Sequence, residues 1–229
     1  MVKVKFCGLR RPEDIAAVNE LGVDFAGFVF AKKSKRYVEP VVASELRKLL
    51  KDGISAVGVF VDEPVEAVAG LIADKTIDIA QLHGSEDDAY ISRLKELLEQ
   101  TQAGRSNMQG GKSSGSLQNM QDIHIIKAFK VNSEEDVRRA NASSADMILL
   151  DSGAGSGKEF DWSVLSEVRR PYFLAGGLDA ASAGKAIERL SPYALDVSSG
   201  IETDGFKDRA KMESFIAAMR NREDSQDIR

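Results

Sequence analysis

The sequence predicts a single closed (β/α)8 barrel, and three observations carry that prediction. Eight short apolar runs alternate with helix-patterned segments along 229 residues. The runs are nearly continuously apolar, as strands covered on both faces of a parallel sheet read. No linker divides the chain, so a two-domain split has no support and an open doubly wound sheet is the runner-up.

Strands are expected at residues 2–7, 25–30, 55–61, 77–82, 123–129, 147–151, 172–175 and 194–198. Pro12-Glu13-Asp14 opens the first helix, Ile15, Val18 and Leu21 form its stripe, and Gly22 stops it. Pro40 opens the second, with Val42, Leu46, Leu49 and Leu50 on one side and Gly53 as the stop. Pro64 opens the third. Ser85 and Ser133 each precede an acid three places on, Asp88 and Asp136, which is a capping-box spacing for the fourth and fifth. Asp161, Asp179 and the Lys207-Asp208 pair precede the last three helices. The eighth carries Met212, Phe215, Ile216 and Met219 at helical spacing. Residues 101–122 break this rhythm. They are rich in Gly, Ser and Gln and read as a flexible polar insertion on the face opposite the chemistry. Residues 221–229 read as a charged tail, leaving 1–220 as the catalytic barrel domain.

Composition narrows the function. Hydrophobic residues make up 43% and charged residues 29%, enough for a packed core and unlike a disordered chain. No run reaches the roughly 18–20 apolar residues of a membrane span, so no membrane partner is expected. A formal charge of −5 argues against a nucleic-acid binder. Cys7 is the sole cysteine, which excludes an internal disulfide and a Cys-x-x-Cys site. His83 and His124 are too few for a zinc centre, and no metal is expected. Met1-Val2-Lys3-Val4-Lys5-Phe6 enters a strand without a leader pattern, so the expected compartment is cytoplasmic.

In this architecture the chemistry sits at the C-terminal ends of the strands. Leu174-Ala175-Gly176-Gly177-Leu178 ends the seventh, and Asp196-Val197-Ser198-Ser199-Gly200 ends the eighth. Two small-residue loops there let backbone N–H groups approach a phosphate; the plain alternative is a pair of tight turns. Gly153-Ala154-Gly155-Ser156-Gly157-Lys158 matches neither a Walker A loop nor a full Gly-x-Gly-x-x-Gly and reads as a mobile, ligand-covering loop, the plain alternative being a flexible connector. Cys7 ends the first strand, either as inert core or as a base that needs thiolate character. Asp151 ends the apolar run Met147-Ile148-Leu149-Leu150. Desolvation there favours a protonated acid, the alternative being a loop cap. In the basic stretch Lys32–Arg36, Arg36 is the candidate for a two-point carboxylate clamp. Lys127 and Lys130 sit where a Schiff-base lysine could stand but read as structural. His83 reads as a packed histidine that could line the mouth.

Several stretches run in an order that resembles the phosphoribosylanthranilate isomerase family of tryptophan biosynthesis. They are Lys5-Phe6-Cys7-Gly8-Leu9, Gly27-Phe28-Val29-Phe30, Ser34-Lys35-Arg36-Tyr37-Val38, Val57-Gly58-Val59-Phe60-Val61, Gln81-Leu82-His83-Gly84, Leu150-Asp151-Ser152, Gly155-Ser156-Gly157-Lys158, Gly176-Gly177-Leu178 and Asp196-Val197-Ser198-Ser199-Gly200-Ile201-Glu202. The resemblance implies a cofactor-free Amadori rearrangement of N-(5'-phosphoribosyl)anthranilate. An acid opens the ribose ring to an iminium, and a base then removes the C2' proton. It places the base at Cys7, the acid at Asp151, and the anthranilate-carboxylate arginine at Arg36. The phosphate loops fall at Gly176-Gly177 and Ser198-Ser199-Gly200. Asp196, Gly155 and Gly157 become supporting substrate contacts. It implies a small-molecule phosphoribosyl partner and a monomer or homodimer. Position 10 is Arg where many relatives carry Thr. The rivals are a related phosphosugar isomerase, which carries an aspartate in place of Cys7 in histidine biosynthesis, a Schiff-base aldolase on Lys127, and a non-catalytic phosphate-binding barrel.

Overall fold

The computed structural model describes residues 1–106, 124–152 and 162–223. Eight parallel strands close into one barrel in chain order, with β8 beside β1. They are β1 (Lys3–Cys7), β2 (Phe25–Val29), β3 (Ser55–Phe60), β4 (Ile79–Leu82), β5 (Ile125–Lys130), β6 (Met147–Asp151), β7 (Tyr172–Ala175) and β8 (Ala194–Val197). Every predicted strand is present, with ends trimmed by at most two residues and β5 running one residue further, to Lys130. Around them lie α1 (Pro12–Leu21), α2 (Pro40–Lys48), α3 (Val65–Ala73), α4 (Asp88–Ser106), α5 (Glu134–Ala142), α6 (Ala180–Leu190) and α7 (Arg209–Glu223). This is the TIM-barrel architecture.

Continuous apolar runs are needed because each strand buries both faces. Phe25, Val57, Ile79, Ile126, Leu149 and Phe173 fill the barrel interior. Phe6, Phe28, Phe60, Ile148, Leu174 and Leu195 face the helices in a second cluster. The stripe Met212, Phe215, Ile216 and Met219 of α7 packs into that outer cluster as its spacing predicts.

Several helix boundaries differ from the sequence reading. Gly22 does stop α1, in the left-handed conformation at φ 65°. Gly53 does not stop α2, which ends at Lys48, and Val42 and Leu49 are 42% and 52% exposed instead of packed. Ser133 and Asp136 form the expected capping box. Ser85 does not cap α4: its N–H and hydroxyl both donate to Asp62 at 2.7 Å, and Asp87 accepts from Tyr90 N–H at 2.9 Å instead. The segment after β6 makes a 3-10 helix (Trp162–Glu167) where an α-helix was expected. Residues 101–106 of the expected polar insertion continue α4, and the rest of it lies outside the described residues. Sequence patterning did not indicate the hairpin β9 (Glu202–Thr203) and β10 (Phe206–Lys207). It follows a 3-10 turn (Ser199–Ile201) after β8 and brings Glu202 and Lys207 to the mouth.

Candidate active site

Strand alternation decides which tip residues face the mouth. On β1, Val4 and Phe6 pack outward, so Lys5 and Cys7 point in. On β6, Ile148 and Leu150 pack outward, so Asp151 points in beyond Leu149. On β8, Leu195 and Val197 pack outward and Asp196 points in. On β4, Ala80 and Leu82 pack outward, so Gln81 and His83 point in. Ile126 and Ala128 take the inward places on β5, which leaves Lys127 on the outer side. Its ammonium donates to Gly84 O at 2.7 Å and pairs with Glu86 at 3.2 Å. Glu86 in turn accepts from the N–H groups of Asp62 and Gly84, each at 2.8 Å. Lys127 is therefore a buried clamp on the loops after β3 and β4, and the Schiff-base reading loses its residue.

Cys7 is buried beside Gly27, whose missing side chain makes room for it. A Cβ there would lie 2.9 Å from the thiol sulfur. Below it, Lys5 donates to Gln81 Oε1 at 2.8 Å and to Asp196 Oδ2 at 2.9 Å, with its side chain fully buried. Burial opposes the Lys5 charge, but Asp196 and Cys7 outweigh it and raise Lys5 above the ordinary lysine value. Burial pushes the Cys7 thiol up; Lys5 and Lys207 pull it back, while Asp196 reinforces the rise. Asp196 Oδ1 is buried with no hydrogen-bond partner among the described residues. A buried acceptor left open at the mouth is a natural place for a ligand donor.

Arg36 is held from behind. Its Nε and Nη2 donate to the two oxygens of Glu202 at 2.7 Å each. Lys207 joins Glu202 at 2.7 Å and also donates to Ser198 O at 2.9 Å. Burial and the Arg36 charge lower Lys207 although Glu202 raises it, while Glu202, gripped by two cations, is the firmly ionised member. The fork of Arg36 is thus occupied on one edge by an internal carboxylate. Among the described residues Nη1 has no partner, so the Nη1–Nη2 edge can meet a second carboxylate, because guanidinium offers five donors in a plane. Arg36 also lies against Gly8 (φ +83°), where a Cβ would meet its Cδ at 2.5 Å. Arg10 donates to Lys35 O at 2.8 Å and Gly205 O at 2.6 Å, which ties the loop after Cys7 to the loop bearing Arg36 and to the hairpin.

The loops after β7 and β8 touch one another. A side chain at Gly200 would collide with Leu178 O, and one at Gly176 with Ser152 Oγ. Gly176 and Gly177 adopt φ of 101° and 62°, conformations that a side chain disfavours. Among the described residues their N–H groups find no acceptor. Ser198 Oγ donates to Cys7 O at 3.0 Å, tying the β8 tip to the β1 tip. Gly155 and Gly157 lie outside the described residues.

His83 lies nearer the centre of the site than its sequence reading gave it. Its Nε2 is 3.6 Å from Asp151 Oδ2, and its Nδ1 is 3.0 Å from Gln81 Nε2. Lys5, Gln81, Gly27, Glu202 and Lys207 were not singled out in the sequence beyond the motifs containing them. A lysine and a glutamine inside otherwise apolar strands were the signal for the first two. Glu202 and Lys207 depend on a hairpin with no local signature.

The model of the N-(5'-phosphoribosyl)anthranilate (PRA) isomerase family matches residues 4–109 and 110–218. N-(5'-phosphoribosyl)anthranilate isomerase of Endomicrobium trichonymphae is 40% identical over 226 residues, covering 96% of this chain and all (100%) of that one. The crystal structure of phosphoribosyl anthranilate isomerase from Thermotoga maritima superposes with a TM-score of 0.79 at 33% identity, covering 96% of this chain and 100% of that one. A crystal structure of phosphoribosyl anthranilate isomerase holding reduced 1-(o-carboxyphenylamino)-1-deoxyribulose 5-phosphate gives 0.78 at 32% identity, with the same coverage of 96% and 100%.

Proposed function

The chain belongs to the N-(5'-phosphoribosyl)anthranilate isomerase family, and we propose that Cys7 and Asp151 are the base and acid of its reaction. It is an isomerase of tryptophan biosynthesis and carries out the Amadori rearrangement of N-(5'-phosphoribosyl)anthranilate to 1-(2-carboxyphenylamino)-1-deoxyribulose 5-phosphate.

One observation supports the assignment of roles: the order of tips around the ring. Asp151 on β6, the loops after β7 and β8, and Cys7 on β1 are consecutive. A phosphate held by Gly176, Gly177, Ser198, Ser199 and Gly200 hangs its ribose between the acid on one side and the base on the other. The next tip along is that of β2, followed by Arg36, whose open edge suits the anthranilate carboxylate.

Asp151 then delivers a proton to the ribose ring oxygen, the C1'–O bond breaks, and the nitrogen lone pair forms the iminium. Cys7 removes the C2' proton, and the electron pair of the broken C2'–H bond neutralises the iminium to an enolamine. Tautomerisation to the ketone completes the reaction, with no net oxidant. A thiol raised by burial is by itself a poor base. The cationic iminium at the mouth favours its thiolate at the step that needs it. Asp196, through its open oxygen, together with Gly155 and Gly157, supplies further substrate contacts. Membrane-impermeant phosphorylated intermediates favour a cytoplasmic enzyme, which we read as a monomer or homodimer.

Turnover of freshly prepared phosphoribosylanthranilate, followed by fluorescence, tests the roles. Cys7→Ala and Asp151→Asn should each lower kcat by roughly a hundredfold or more and leave the circular dichroism unchanged. Near-normal turnover in either variant removes that residue from its role.

A further inference from the structure

Gln81 lies inside the barrel between the two ends of the site and is 1% exposed. On one side is Lys5, a buried ammonium with hydrogens to give and none to accept. On the other is a ring nitrogen of His83. The amide orientation is settled by Lys5. With Oε1 toward Nζ the contact is a hydrogen bond of 2.8 Å. The reversed amide would press two donors together between side chains that are 0% and 1% exposed. Nε2 must therefore face His83 Nδ1, 3.0 Å away. A ring nitrogen that faces an NH2 donor at this distance is the acceptor, so the proton of the neutral imidazole is carried by Nε2.

We propose that Gln81 is a positioning residue that relays the donor-only character of Lys5 to His83 and fixes the imidazole proton on Nε2, toward Asp151. Lys5 is the head of the relay: it donates to Asp196 on one side, and on the other the donors run in one direction from Lys5 through Gln81 and His83 toward Asp151. The Nε2 to Asp151 Oδ2 separation of 3.6 Å is too long for a hydrogen bond. It aims an N–H at the carboxyl group all the same.

The consequence rests on the assignment of Asp151 as the acid. When Asp151 gives its proton to the ring oxygen, negative charge develops on its carboxyl group. An N–H held on that side stabilises the charge as it forms. The other tautomer would present a lone pair there and oppose proton release. No proton leaves His83 in this step, and Gln81 touches neither substrate nor reacting atoms.

The first test leaves Gln81 and His83 unchanged. Long-range 1H–15N correlation of the histidine rings at neutral pH reports the tautomer, and His124→Gln assigns the two residues. His83 with its proton on Nε2 is expected; a proton on Nδ1 overturns the proposal. Gln81→Glu supplies the second test. Its carboxylate still accepts from Lys5, and it offers His83 an acceptor instead of a donor, so the ring proton should move to Nδ1. With that move kcat should fall by roughly ten- to a hundredfold, with KM within about threefold of the parent. Gln81→Met, which neither donates nor accepts, should give a mixture of tautomers and an intermediate kcat, and covers the case in which the glutamate variant does not fold. A shifted tautomer with unchanged kcat overturns the positioning role. The tautomer is read without turnover, and the acid role is judged by Asp151→Asn, so the two ideas fail separately.

Discussion

Acid should loosen the mouth of this barrel through one carboxylate. Glu202 accepts from Arg36 twice and from Lys207 once, each at 2.7 Å. Burial alone would raise its pKa, but these charge-assisted bonds outweigh it and hold the group at about 2, against an ordinary 4.5. That interval corresponds to about 3 kcal/mol of linkage free energy. Arg36 is 30% exposed, and solvent screening reduces the figure to about 2 kcal/mol. A depressed carboxyl stabilises the fold above its unfolded pKa and loses that contribution as the pH falls toward its folded value. Between about pH 6 and about pH 3.5 the unfolded chain gains a proton that the folded one refuses, which removes roughly 1 kcal/mol. Urea unfolding of the wild type and Glu202→Gln at both pH values measures this directly. The wild-type advantage should shrink by roughly 1 kcal/mol on acidification. An advantage of constant size would refute the account of Glu202 as the ionised partner.

Three further outcomes follow from the same geometry. Arg36→Met should raise KM and leave kcat much less affected, as expected for a group that binds one carboxylate uniformly; equal losses in kcat and kcat/KM would count against this. Gly200→Ala forces its methyl against Leu178 O. A clash costing about 1–3 kcal/mol should part the two loops and weaken inhibition by inorganic phosphate roughly tenfold or more; unchanged inhibition would move the phosphate elsewhere. Lys5→Met removes a cation that pulls the Cys7 thiol down. Alkylation of this sole cysteine by iodoacetamide should become slower at a given pH; an equal or faster rate would detach Lys5 from Cys7.

The eight strands and the tips at Cys7, Asp151, Gly176 and Ser198 were legible in the sequence because local pattern and chemistry coincide there. Continuous apolar runs mark strands buried on both faces, and the ends of those runs mark the catalytic rim. The helix starts were legible where a cap is purely local, as at Ser133. They failed at Ser85 because a tertiary partner, Asp62, takes its donors. Nothing near residue 202 announces that a two-residue strand will fold back and set a carboxylate behind Arg36. That pairing spans 166 positions in the chain and exists only once the barrel has closed.

More could have been drawn from the strands themselves. Alternation fixes the facing of every tip once one outward residue is known, and it separates Lys5 from Lys127. Both are lysines in apolar strands and both are buried. Lys5 shares a face with Cys7 and enters the barrel, where only a carboxylate and an amide could hold its charge, and Asp196 and Gln81 are both there. Lys127 falls one residue out of phase with Ile126 and Ala128, so it is directed toward the loops and away from the barrel interior. A polar residue in phase with the interior of a parallel barrel is costly unless it is fully paired. The pairing around Lys5 is complete on the side of Gln81 and leaves an oxygen open on the side of Asp196. That asymmetry marks Asp196 as the one member of this network able to take a further donor among the described residues.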